Sequence, residues 1–78
     1  MNIIATSQLT IVIGLGMTGL SVARYLQKMN QRFIVLDSRE TPPNLEVFQQ
    51  EFPEAKLHLG SLDKQLLCSA NEIVISPG

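Results

Sequence analysis

The sequence predicts an α/β fold, a Rossmann-like three-layer domain built on a parallel sheet with strand order 3-2-1-4. Three observations predict it. Short runs of β-branched and apolar residues occur four times, and three stretches with helical spacing lie between them. The links are short, and the alternation β-α-β-α-β-α-β requires right-handed crossovers and so a parallel sheet. The first strand also runs straight into the stretch IVIGLGMTGLS, residues 11–21, in which Gly14, Gly16 and Gly19 hold the G-x-G-x-x-G spacing.

The first strand is expected at Leu9 to Ile13 (LTIVI), an uninterrupted apolar run suited to burial on both faces. A helix follows from Thr18 to about Met29, with Leu20, Ala23, Leu26, Tyr25 and Met29 taken as its buried stripe and Asn30-Gln31 as its end. Phe33 to Leu36 (FIVL) forms the second strand, closed by Asp37. After the polar loop SRETPPN, Pro42 and Pro43 suit a helix start. Leu45, Phe48 and Phe52 give that helix an apolar face, and Pro53 stops it. Lys56 to Leu59 (KLHL) alternates as an edge-like strand. Ser61 is the expected cap of a helix carrying Leu62, Leu66, Leu67 and Ala70. Glu72 to Ile75 (EIVI) is the fourth strand. It falls at the sheet's C-terminal edge, where the chain closes on Ser76-Pro77-Gly78, so a single domain truncated at that edge is expected.

Seventy-eight residues make one small domain, which buries only roughly 60–65% of its unfolded surface. At 45% apolar and 17% charged, the chain is too hydrophobic for disorder. A net charge of −1 offers no electrostatic footprint for nucleic acid or an anionic membrane, so any anion must be held by local geometry. The single Cys68 excludes an internal disulfide and suits a reducing compartment. No Cys/His cluster offers a metal site, and no basic, apolar leader opens the chain. The expected location is the cytoplasm.

In the glycine motif Gly14 makes the tight turn, Gly16 admits a phosphate close to the backbone, and Gly19 lets helix and sheet approach. The helix start adds unpaired N–H groups and the positive end of its dipole, with the Thr18 hydroxyl beside them. A glycine-rich turn without a ligand is the bland alternative. Asp37, about twenty residues on, is placed to accept from an adenosine ribose, as in an NAD domain. The neighbouring Ser38-Arg39 suits a 2′-phosphate or a different base equally well, and a surface role for both charges is the competing view. His58 is expected to be an exposed strand residue and Cys68 a small apolar filler. Phe33, Phe48 and Phe52 are read as core. No carboxylate pair, Ser/His/Asp set or P-loop is present, so no catalytic residue is assigned.

Four separated pieces, GLGMTGLS at 14–21, LDSRETPPN at 36–44, LGSLD at 59–63 and EIVISPG at 72–78, together resemble the N-terminal domain of the D-glutamate-adding Mur ligases. The likeness covers almost all the chain from Leu9 onward, and the D-S-R-E-T-P-P loop with the closing SPG is far more specific than the glycines. The resemblance implies a UDP-sugar in place of NAD. It sets Met17 and Thr18 at the diphosphate of UDP-N-acetylmuramoyl-L-alanine, with Gly14, Gly16 and Gly19 in the same UDP-binding loop. It sets Asp37, Ser38 and Arg39 around the uracil and Gly78 beside the nucleotide. Ser38 stands where threonine also occurs, which keeps the hydroxyl. The resemblance also implies that ATP, Mg and the D-glutamate site belong to central and C-terminal domains of a parent enzyme. No cofactor is expected in these residues themselves.

Overall fold

In a computed structural model, which describes residues 8–75, seven elements follow one another. They are β1 (Leu9–Ile13), α1 (Met17–Lys28), β2 (Arg32–Asp37), α2 (Leu45–Glu51), β3 (Lys56–Leu59), α3 (Lys64–Cys68) and β4 (Glu72–Ile75). The four strands pair in the order β3-β2-β1-β4, all parallel. Val12 is level with Val35 on one side and Val74 on the other. The expected fold class and strand order are what the molecule has.

Side-chain alternation divides the apolar residues between two layers. On one face Val12 and Val35 meet Leu20, Ala23 and Leu26 of α1 and Phe48 and Phe52 from α2 and its end. On the other, Leu9, Ile11, Ile34 and Leu36 are covered by Leu66, Leu67 and Ala70. So α1 and α2 lie on one side and α3 on the other, which makes the third layer. Phe52 stands edge-on to Phe33, ring centroids 5.9 Å apart, and stacks obliquely on Phe48 at 4.9 Å, so Phe48 and Phe52 are core and the half-buried Phe33 packs against them.

Three expectations are corrected. Tyr25 and Met29 are exposed, not part of the buried stripe of α1. Tyr25 lies roughly 140° around the helix from Leu20, well off the arc that Leu20, Ala23 and Leu26 share. The cap of α3 is Asp63, not Ser61; its carboxylate accepts from the N–H groups of Gln65 and Leu66. Cys68 is exposed and fills nothing. The end of α1 is as expected: Asn30 takes φ +59°, and the N–H groups of Asn30 and Gln31 return to the carbonyls of Gln27 and Leu26. Arg24 on α1 forks onto Glu51 on α2, its Nε donating to Oε2 at 2.9 Å, and ties the two helices at the surface. Among the described residues no helix is long and apolar enough to cross a membrane, and no group of His, Cys, Asp and Glu could hold a metal.

Candidate nucleotide-binding site

The chain steps from β1 to β2 to β3 and then returns to set β4 on the far side of β1. The crevice at the carboxyl ends of the strands, where that direction reverses, is where ligands sit in open α/β sheets. The β1–α1 loop lies there. Gly14 has φ +101°, in the left-handed region that glycine tolerates and a Cβ does not, and its N–H donates to the Leu36 carbonyl at 2.7 Å. Leu15 turns inward and is fully buried, so the loop is anchored by its own side chain. Gly16 is the N-cap of α1, in extended conformation, and gives no side-chain cap; no acidic residue occupies the first turn. Met17, Thr18 and Gly19 therefore begin a twelve-residue helix whose first N–H groups lack intrahelical partners and whose positive dipole end is uncompensated. Met17 and Thr18 are exposed, while Gly19 is buried against the sheet. A helix start of this kind can hold an anion.

Asp37 closes β2 beside that loop and is only 2% exposed. Its Oδ2 accepts from the Leu15 N–H at 2.8 Å and from Arg39 Nη2 at 2.7 Å. Its Oδ1 accepts from the Arg39 N–H and from Arg39 Nε, both at 2.9 Å. The Arg39 guanidinium, with these backbone donors, holds the carboxyl well below the usual carboxylate range, against the opposing push of burial. The same fork raises Arg39. Ser38 between them is exposed. The Asp37 carbonyl takes the N–H of Gly60 at 2.9 Å, which brings in the end of β3.

The structure thus gathers Gly14, Gly16, Met17, Thr18, Gly19, Asp37, Ser38 and Arg39 at one end of the sheet. Gly78 lies outside the described residues. Leu15 and Gly60 escaped the motif-based reading. Leu15 is an unmarked position of the glycine motif, and its only signal is that a strand-end acid next door needs donors. A recess of about 400 Å³ opens at the opposite, amino end of the strands, between Leu9, Gln31, Phe33, Phe52 and Lys56. Arg32 and Lys56 line it, but it has no glycine turn and no helix start.

A parallel sheet, a glycine loop at a free helix start and an acid at the end of the next strand define a Rossmann-like domain. Within that class the chain belongs to the family described as "Mur ligase MurD-like, N-terminal domain", whose profile matches residues 8–78. Among curated proteins it is similar to the UDP-N-acetylmuramoylalanine--D-glutamate ligase of Pseudomonas aeruginosa, 42% identical over 78 residues. It is likewise similar to those of Pseudomonas putida, 43% over 77 residues, and Coxiella burnetii, 46% over 74. These alignments cover 100%, 99% and 95% of this chain but 17% of each relative.

Proposed function

We propose that the chain is the nucleotide-substrate-binding domain of a peptidoglycan-precursor ligase and binds the UDP part of UDP-N-acetylmuramoyl-L-alanine. The observation that carries this reading is the family match across 8–78, which runs through the glycine loop and the Asp37-Ser38-Arg39 turn. In this reading Gly14, Gly16, Met17, Thr18 and Gly19 receive the diphosphate at the open start of α1. Asp37, Ser38 and Arg39 border the base, and Gly78 lies beside the nucleotide.

The chain contributes binding and orientation and no catalytic residue. In the parent enzyme, a cytoplasmic ligase, ATP and Mg would be held by central and C-terminal domains and would supply activation of the substrate carboxylate for attack by the amine of D-glutamate. The competing NAD reading needs a free Asp37 carboxylate for a ribose hydroxyl. The family match across residues 8–78 weighs for the ligase reading over it.

Titration of the isotopically labelled chain with UDP and with NADH tests the proposal. UDP is expected to move the amide resonances of Gly16 to Gly19, with NADH without effect at equal concentration. A chain that prefers NADH overturns the ligase assignment.

A further inference from the structure

We propose that the recess at the amino end of the strands is a second binding site, for a small organic acid with one carboxylate and an apolar body. It lies at the opposite end of the sheet from the glycine loop, shares no lining residue with it, and stands apart from the nucleotide reading above.

The register of the sheet opens the recess. β2 starts at Arg32, level with Leu9 of β1, but its ladder with β3 begins later, where Ile34 meets Lys56. The chain enters β3 through Pro53-Glu54-Ala55, so Arg32 and Phe33 face that loop across a gap and not a paired strand. The gap measures about 400 Å³, within the range of roughly 300–1,000 Å³ usual for small-molecule sites. Its apolar walls are firm, since Leu9, Ile34 and Phe52 are buried in the core and Phe33 is half-buried. Successive residues of a strand point to opposite faces, so Arg32 and Ile34 share a face, and Lys56, level with Ile34, lies on it too. Two residues along a strand and one strand across set the Arg32 and Lys56 backbones roughly 8 Å apart, a span that side chains of this length close onto one carboxylate. Both are exposed, and neither has an ion-pair partner among the described residues. Against them the lining sets one acid, Glu54, while Gln27 and Gln31 add neutral amides. Arg32 and Lys56 less Glu54 leave the recess at +1, in a chain whose net charge is −1. That balance suits a monoanion. A phosphate monoester, at about −1.5 to −2, exceeds it and is repelled by Glu54, whereas a neutral ligand leaves both cations unpaired.

Titration of the isotopically labelled chain with hydrocinnamate tests this, with hydrocinnamide, acetate and phenyl phosphate at equal concentration for comparison. Hydrocinnamate is expected to shift the amide resonances of Phe33, Ile34, Ala55 and Lys56 and to leave those of Gly16 to Gly19 in place. Acetate, which has the charge without the body, and hydrocinnamide, which has the body without the charge, should both bind more weakly. Arg32→Gln and Lys56→Gln should each lower hydrocinnamate affinity about twofold to fivefold, the size of one exposed charge contact. Both side chains are exposed, so the variants keep the fold. Lys64→Gln, which removes a cation from α3 instead, should bind as the unaltered chain does. Hydrocinnamide that shifts the same resonances as strongly marks an apolar patch without charge selection and overturns the proposal. So do tighter binding of phenyl phosphate, unchanged affinity in both Arg32→Gln and Lys56→Gln, and shifts that fall on Gly16 to Gly19 instead. The absence of any saturable shift overturns it outright. Whether UDP binds at the glycine loop has no bearing on these outcomes.

Discussion

Gly14 and Gly16 sit two residues apart and are glycine for different reasons. At φ +101° Gly14 holds a conformation that an L-side chain strains to adopt, so Gly14→Ala should cost about 1–3 kcal/mol of stability. Gly16 has φ −94° and ψ −165°, an extended conformation open to any residue. Gly16→Ala should therefore lower UDP affinity more than it lowers the melting temperature. Parallel melting curves and UDP titrations of the two variants check this; equal loss of stability in both would refute the division of roles. Asp37 adds a pH signature. Its folded pKa lies below the value of about 3.9 for an unfolded chain, so its stabilisation is complete above that pH and is lost as the pH falls below it. Glu51, lowered by Arg24, acts in the same direction but is solvent-exposed and screened by salt. Urea midpoints measured below about pH 4 in high salt should thus fall steeply for the parent and more gently for Asp37→Asn.

Among the elements, α3 is the shortest helix and depends most on its cap. Asp63→Ala should cost about 1 kcal/mol and Ser61→Ala next to nothing, a contrast that urea denaturation resolves. Ser61 alone reads as the cap in the sequence. Asp63 is the cap in the fold because Gly60, at φ +89°, and the two residues after it turn the chain out of β3 before the helix can start. Strand positions were legible because an apolar run closed by a polar residue has few alternatives. β2 still runs one residue further at each end than FIVL, since it is paired on both sides and the ladders carry Arg32 and Asp37 along. In α1 the spacing of Leu20, Ala23 and Leu26 is a true periodic signal, whereas Tyr25 and Met29, read into the same stripe, lie off its arc and face water. At the candidate site the glycines announce themselves through local backbone demands. The bond from Leu15 to Asp37 does not, because it exists only once β1 and β2 are in register.

At the scale of the molecule the two faces of the sheet are unequally covered. Ile73 and Ile75 are level with Ile11 and Ile13 and so extend the layer under α3, yet they are 45% and 73% exposed. Among the described residues β4 pairs with β1 alone, and its other side presents unpaired backbone groups next to these isoleucines. Such an edge templates pairing with another chain. The 78-residue chain should self-associate as its concentration rises, and Val74→Lys should suppress this in light scattering. A monomer at high concentration, with slowly exchanging amides on both sides of β4, would show that the edge is already covered.

The register of β4 also bears on the order in which the molecule assembles. β1, α1 and β2 are contiguous, from Leu9 to Asp37, and the pair Val12 and Val35 closes a loop of only moderate length. The pairing of Thr10 with Glu72 spans nearly the whole chain, and loop-closure entropy makes such a contact slow to form. The first βαβ unit, glycine loop included, is expected to be structured in the folding transition state, with β4 docking after the barrier. Val12→Ala should then slow refolding, while Val74→Ala should mainly speed unfolding. Stopped-flow chevrons in which Val74→Ala retards folding as strongly as Val12→Ala would reverse that order.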